Sequence, residues 1–303
     1  MQNTPFARAA TQISRQLINP LRTRLMGRRL ASINPEVKGE GTSAFEYTHI
    51  SGISDAFVQW KMVTGSEQKD SITASSRIVQ IPCLSKEFEM PKSDIAAWEQ
   101  REVGVGEENS LPSVTANAAA YEVARKEDQM IFDGWKPDGS TYGVKGFAQA
   151  ANNTVTGGSI ATAGTMCGYL CDAIAALNED EVFGENNSYN LSITPAIYGA
   201  LMPKRFQNGD TELKQIRDFL GDGDILVTPH VPSGTAIVTP VDTAREHFEF
   251  LNPVDYKVEF ANPKYNNIGM QEGVVYELFL PSYIRPNGNG KTDAVCKITS
   301  LSA

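Results

Sequence analysis

A single long helical pattern lies between regions of strand-like sequence, and this arrangement restricts the fold more than any other feature of the chain. Ser113 is a favourable N-cap and Gly134 a favourable stop, and the alanine-rich residues between them have high helix propensity. Residues 45–90 and 245–303 instead alternate apolar and polar positions, with many β-branched side chains, as β-strands do. Residues 160–240 alternate between helical and strand-like patterns. We therefore predict an α+β fold.

The composition is that of a folded globular protein without a recognisable catalytic or metal-binding motif. Of the 303 residues, 41% are hydrophobic and 21% are charged, and no stretch approaches the roughly 18 uncharged apolar residues needed to span a bilayer. The four cysteines form no CxxC pair and the three histidines are far apart, so we expect no metal site and no cofactor. No GxSxG or HExxH motif is present, so we do not expect an enzyme. A soluble α/β enzyme with an unrecognised site stays an open alternative.

Charge is distributed unevenly along the chain. The first 40 residues contain seven basic and two acidic residues, whereas the remaining 263 contain 20 basic and 34 acidic ones. A basic segment on an acidic body has three interpretations: it contacts a neighbouring subunit, it binds the phosphates of a nucleic acid, or it is an organelle transit peptide. We favour the subunit contact, then the nucleic acid, because the acidic body offers no broad basic stretch for sequence-specific DNA recognition.

Two segments carry apolar surface that needs a partner. Residues 1–34 have an apolar stripe at spacings of three or four, which predicts an amphipathic helix that Pro20 interrupts. Residues 51–90 predict a long two-stranded hairpin with a polar tip, which must pack on another surface because an isolated hairpin is marginally stable in water. We also expect the apolar strands at 273–280 and 294–298 to pair with each other.

Two acidic residues occupy an unusual place in the long helix. Glu127 and Asp128 lie near its C-terminal end, where the helix dipole disfavours negative charge. Catalysis and a salt bridge to the basic N-terminal segment would each explain them. No matching acid or base lies nearby in sequence, so we predict the salt bridge.

Several segments, in this order along the chain, resemble segments of encapsulin shell proteins. Thr23–Leu30 is similar to the segment at which encapsulin chains leave their N-terminal helix, and Glu122–Gly134 followed by Tyr142–Phe147 resembles the encapsulin spine helix and its Gly-x-x-Gly turn. Gly223–Pro229 resembles the axial-domain strand before a proline turn, and Gly273–Leu280 resembles the C-terminal apolar strand. The order of elements is also that of the tailed-virus capsid proteins, which share the fold of encapsulins.

The resemblance implies an HK97-like capsid fold. This fold has an N-terminal arm, an extended β-hairpin called the E-loop, a peripheral domain with a long spine helix, and an α/β axial domain. We expect the following limits: the arm at 1–40; the peripheral domain at 41–50, 91–155 and 245–303, with its spine helix at 113–133; the extended hairpin at 51–90; and the axial domain at 156–244.

The resemblance also implies a non-enzymatic shell protein whose partners are copies of itself, arranged as hexamers, pentamers or both in a closed icosahedral particle without a membrane. Encapsulin arms usually carry acids, whereas residues 1–35 contain none. We therefore favour the major capsid protein of a tailed bacterial or archaeal virus, which encloses nucleic acid in the virion. The alternative is an encapsulin nanocompartment in the cytoplasm, which encloses a protein cargo. We expect the following residues at subunit interfaces or facing the lumen: Arg15, Arg22, Arg24, Arg28, Arg29, Trp60, Lys69, Arg77, Glu127 and Asp128.

Overall fold

A computed structural model describes residues 26–51, 73–91, 111–207, 209–260, 270–284 and 291–302. The helices in these ranges are α1 (Leu111–Phe132), α2 (Phe147–Ala150), α3 (Thr165–Glu179), α4 (Pro195–Leu201) and α5 (Glu212–Leu220). The strands are β1 (Ala44–Ser51), β2 (Thr73–Gln80), β3 (Cys83–Pro91), β4 (Ala151–Thr156), β5 (Tyr189–Ile193), β6 (Ile225–Val227), β7 (Ala236–Pro240), β8 (Phe248–Phe260), β9 (Met270–Tyr283) and β10 (Thr292–Thr299). No helix within the described ranges is long and apolar enough to cross a membrane.

Helix α1 is the long helix expected from the sequence, and we call it the spine helix. It begins at Leu111, so Ser113 lies in its first turn and the prediction of Ser113 as the N-cap is wrong. Pro112 is compatible with this position because the first N–H groups of a helix have no intrahelical partner. At the other end Gly134 has a φ of +82°, and a Cβ there would lie 2.5 Å from the carbonyl oxygen of Val144. Glycine therefore ends the helix and permits the tight turn that follows.

A three-stranded antiparallel sheet in the order β3-β9-β8 packs against the spine helix. The central strand β9 pairs with β3 on one side and β8 on the other; for example, Val275 lies opposite Lys86 and Val258. Burial alternates along β9, so Val275, Glu277 and Phe279 share the inward face and are fully buried. One acidic side chain thus lies between two apolar ones in the core.

The second large sheet is mixed and has five strands in the order β4-β10-β7-β5-β6. β10 runs parallel to β4 and antiparallel to β7, and β5 runs parallel to β6. Helices α3, α4 and α5 cover this sheet, and their apolar side chains form one core with it. Leu226, Val231 and Ile237 come from this region but pack in the other core, beneath the spine helix. Ala236 and Val238, the neighbours of Ile237 on β7, pack in the core of the five-stranded sheet, so the two cores lie on opposite faces of that strand.

Two strand assignments differ from the sequence-based predictions. The strands predicted at 273–280 and 294–298 do not pair, because β9 is flanked by β3 and β8 while β10 is flanked by β4 and β7, and neither has an edge left for the other. β10 consequently belongs to the five-stranded sheet, between β4 and β7. An alternating pattern identifies a strand but does not specify its partner.

The predicted hairpin at 51–90 is also distributed differently. β1 pairs with β2 from Ala44 opposite Gln80 to Ser51 opposite Thr73, whereas β3 belongs to the three-stranded sheet. Pro82 separates β2 from β3; it has no N–H to continue a ladder, so the chain leaves the hairpin there. The remainder of the predicted hairpin, residues 52–72, lies outside the described residues.

Candidate functional site

The N-terminal segment, residues 26–29, lies directly on the spine helix. Gly27–Arg29 form one turn of 3-10 helix, and the Gly27 N–H donates a hydrogen bond of 2.7 Å to Oδ1 of Asp128. A Cβ at Gly27 would lie 2.6 Å from Cδ1 of Ile131 and 3.0 Å from the Asp128 carboxylate. The backbone approaches the helix this closely because residue 27 has no side chain.

The next residue, Arg28, enters a buried cluster of carboxyl groups. Its Nε lies 2.6 Å from Oε1 of Glu127 on the spine helix, and its Nη1 lies 3.3 Å from Oδ1 of Asp255 on β8. Its Nη2 donates to Oε1 of Glu277 on β9. The Arg28 side chain is 8% exposed, those of Glu127 and Glu277 are fully buried, and that of Asp255 is 28% exposed. One guanidinium thereby joins the N-terminal segment to the spine helix and to two strands.

Further polar and aromatic groups complete the surroundings of Arg28. The Tyr256 hydroxyl donates to Oε2 of Glu127, and Nδ2 of Asn252 donates to Oε1 of Glu277 at 2.9 Å. The guanidinium also lies 5.2 Å from the ring centroid of Tyr256 and 5.7 Å from that of Phe279, within the range of cation–π attraction. We call Arg28, Glu127, Asn252, Asp255, Tyr256 and Glu277 the Arg28 cluster.

The pKa values in the Arg28 cluster follow from burial and from the opposed charges. Burial raises the pKa of Glu127 and raises that of Glu277 well above its ordinary value, although the positive charge of Arg28 acts in the opposite direction on both. Burial acts to lower the pKa of Arg28, but the negative charges of Glu277 and Glu127 outweigh it and the pKa is raised. Burial also raises the pKa of Tyr256. Arg28 is therefore a permanent cation here, and Tyr256 a permanent hydrogen-bond donor.

Asp128 links the N-terminal segment to the five-stranded sheet. Its Oδ1 accepts from Gly27, and its Oδ2 accepts a 2.8 Å hydrogen bond from the Thr228 hydroxyl, just beyond β6. A second link lies at the surface, where Arg29 and Asp224 form a 2.5 Å salt bridge with both side chains about half exposed. The N-terminal segment thus contacts the spine helix, the three-stranded sheet and the five-stranded sheet within three residues.

The structure places the predicted site residues as follows. The salt bridge predicted for Glu127 is confirmed, since its partner is Arg28 of the basic segment. Among the described residues, Asp128 bonds to a backbone N–H and a hydroxyl group and not to a cation, so its predicted salt bridge to the basic segment stays a prediction. Arg77 donates to the carbonyl oxygen of Tyr283 at 3.4 Å. The other predicted residues, Arg15, Arg22, Arg24, Trp60 and Lys69, lie outside the described residues.

Sequence reasoning missed several members of the cluster, although one signal was present. Glu277 occupies an inward position of an otherwise apolar strand, between Val275 and Phe279. A carboxyl group at such a position needs a buried partner, because an isolated buried charge is strongly unfavourable. Asp255, Tyr256 and the Thr228 contact have no comparable signal, because they reach the cluster only through the folding of distant strands.

Comparison with solved structures shows which fold the chain has. The capsid of Myoviridae phage XM1 superposes with a TM-score of 0.70 at 14% identity, covering 90% of both chains. A structure from Mycobacterium phage Bobi gives a TM-score of 0.64 at 15% identity over 92% of this chain and 90% of the other. A virus-like particle from Pyrococcus furiosus gives a TM-score of 0.61 at 14% identity over 97% of this chain and all of the other. The chain therefore has the shell-forming HK97-like fold, and the predicted fold class is confirmed.

The particular family follows from the sequence. The model of the family described as encapsulating protein for peroxidase matches residues 2–272. The chain belongs to this family. A search of curated proteins gives no significant match. The resemblance to encapsulins and to tailed-virus capsid proteins is thus confirmed, both in the family and in the fold.

Proposed function

We propose that this chain assembles with copies of itself into a closed icosahedral shell that encloses nucleic acid, as the major capsid protein of a tailed virus. The superposition on the phage XM1 capsid over 90% of both chains carries the proposal. In this role the subunit acts by association and not by catalysis. Many moderate contacts, repeated by the symmetry of the particle, close the shell.

The charge of the N-terminal region supports nucleic acid as the contents. Residues 1–25 contain four arginines, at positions 8, 15, 22 and 24, and no acid. Arginine side chains neutralise phosphates and release their counterions, which favours binding without sequence specificity. The Arg28 cluster holds the chain immediately after this region in sequence, at residues 26–29. We propose that the following residues lie at subunit interfaces or face the lumen: Arg15, Arg22, Arg24, Arg29, Trp60, Lys69 and Arg77.

A second candidate function is an encapsulin nanocompartment that encloses a protein cargo in the cytoplasm. The match of residues 2–272 to the family described as encapsulating protein for peroxidase favours it. Both candidates share the self-association of the subunit and differ in what the shell encloses.

The test begins with the purified full-length chain at neutral pH and moderate salt. We expect a particle that elutes near the void volume of a sizing column and appears as a closed shell in negative-stain images. A single species of 33.0 kDa would contradict both candidates. After nuclease treatment of intact shells, an A260/A280 ratio above that of protein alone supports the capsid proposal.

Matched variants separate the two candidates. Replacing the four arginines of residues 1–25 with glutamine should give shells without protected nucleic acid, whereas replacement with lysine keeps the charge and should retain it. Shells with the absorbance of protein alone in the wild type and in both variants would contradict the capsid proposal and support the nanocompartment.

A further inference from the structure

The Arg28 cluster has more buried negative charge than its cation balances. Glu127 and Glu277 are both fully buried and both contact the single guanidinium of Arg28. Within the described ranges, no second cation forms a salt bridge with either carboxyl group. Asp255 adds a third carboxyl group at the more exposed side of Arg28. Two ionised carboxylates beside one guanidinium would leave net negative charge in the core, which is strongly unfavourable.

The hydrogen bonds indicate which carboxyl group can carry a proton that compensates the excess negative charge. Oε1 of Glu277 accepts from Arg28 and Asn252, whereas Oε2 of Glu277 is buried and has no donor in the part of the chain that the structure describes. Both oxygens of Glu127 already accept, one from Arg28 and one from Tyr256. Both carboxyl groups bond to the guanidinium of Arg28, and the negative charge of Glu127 adds to burial in raising the pKa of Glu277. A proton on Glu277 would convert an unsatisfied acceptor into a donor toward Glu127 and remove the excess charge.

We propose that Glu127 and Glu277 hold one shared proton in the folded subunit, and that the N-terminal segment, residues 26–29, detaches from the spine helix only with release of this proton. Arg28 bonds to both carboxyl groups, so in this proposal the lifted segment leaves space that water enters, and the hydrated carboxyl groups ionise. The site is a proton-binding latch for the N-terminal segment, and it operates whether the shell encloses nucleic acid or protein.

The neighbouring charged groups set the direction of the pH effect. Arg28 from the N-terminal segment stays positive and Tyr256 from β8 stays neutral, because their pKa values are raised. Asp255 from β8 is partly exposed and lies against Nη1 of Arg28. Burial raises the folded-state pKa values of Glu127 and Glu277. The shared proton therefore stabilises the attached N-terminal segment fully when the pH is below the ordinary carboxyl pKa. This stabilisation is lost as the pH rises toward the raised pKa of the folded state. The latch is therefore tighter in acid than at neutral pH.

Hydrogen–deuterium exchange on the full-length protein tests this latch. Protection of a peptide that covers residues 26–30, corrected for the chemical exchange rate, is measured at pH 5.5, 6.5 and 7.5. Release of one proton on opening predicts a roughly tenfold loss of protection per pH unit. A peptide from β5 in the same spectra should keep constant protection. Constant corrected protection of residues 26–30 in the wild type would overturn the proposal without recourse to any variant.

A variant and its control identify the proton site. In E277Q an amide replaces the protonated carboxyl group, so protection of residues 26–30 should no longer depend on pH. E249Q is the matched control: Glu249 is also buried on β8, but it accepts from the Tyr47 hydroxyl at 2.6 Å, outside the Arg28 cluster. E249Q should keep the wild-type slope. An unchanged slope in E277Q, or a slope abolished equally by E249Q, would overturn the assignment of the proton to Glu127 and Glu277.

Discussion

Replacing Arg28 with methionine should destabilise the subunit by about 3–5 kcal/mol, the range found when one partner of a buried ion pair is removed. The side chain is 8% exposed and bonds to three carboxyl groups, two of them fully buried. Methionine keeps most of the apolar stem, so the loss reports mainly on the guanidinium. Without it, Glu127 and Glu277 remain buried together with no cation between them.

The adjacent residue provides an internal control. Arg29 also forms a salt bridge, to Asp224, but its side chain is 54% exposed and that of its partner 52%. Exposed ion pairs contribute about 0.2–1 kcal/mol because solvent screens them. R29M should therefore cost several-fold less than R28M, although both changes remove an arginine from the same turn of the chain.

Urea unfolding followed by circular dichroism, at equal chain concentration, measures the free energy of unfolding of the wild type and both variants. The cost of R28M should be greater at pH 8 than at pH 5. In R28M the carboxyl groups of Glu127 and Glu277 stay buried but lose the cation that acts to lower their pKa values, so both pKa values rise further. A raised carboxyl pKa in the folded state destabilises the fold as pH rises. Equal costs for R28M and R29M, or a cost of R28M below about 1 kcal/mol, would refute the reasoning.

Three further outcomes follow from the same contacts. G27A should lower the free energy of unfolding in urea by about 1–3 kcal/mol because its Cβ collides with the spine helix. G41A should leave it unchanged, because a Cβ there meets nothing within 4 Å. Equal effects of the two variants would contradict the close approach of Gly27 to the helix. T228V should lower the free energy of unfolding by about 1–3 kcal/mol because a buried Asp128 oxygen loses its donor. T239V removes a buried hydroxyl that has no partner among the described residues, so it should leave the free energy of unfolding unchanged or raise it. Shell assembly followed by light scattering should be slower in 1 M than in 0.1 M salt, because the screening length falls from about 10 Å to about 3 Å; an unchanged rate would argue against attraction between the basic N-terminal region and the acidic body.

Individual residues of the site differ in how far sequence could predict them. Glu127 was identified because an acid near the C-terminal end of a helix is unfavourable unless a cation is near, and Arg28 supplies that cation. Asp128 was identified by the same argument but has different partners, since the helix dipole indicates that an acid needs compensation and not which group provides it. Glu277 carried a usable signal in its inward position on β9.

The sequence by itself determined the local elements and the family. The spine helix was placed to within two residues at its start, and the helices and strands between residues 160 and 240 appear in the predicted order. These features depend on propensity and periodicity, which act over a few neighbouring residues. Only the tertiary structure decided that β9 and β10 belong to different sheets, and that Arg28 contacts Glu127 and Glu277, which lie 99 and 249 residues away. Such contacts depend on which surfaces exclude water together, and no local pattern encodes that choice of partner.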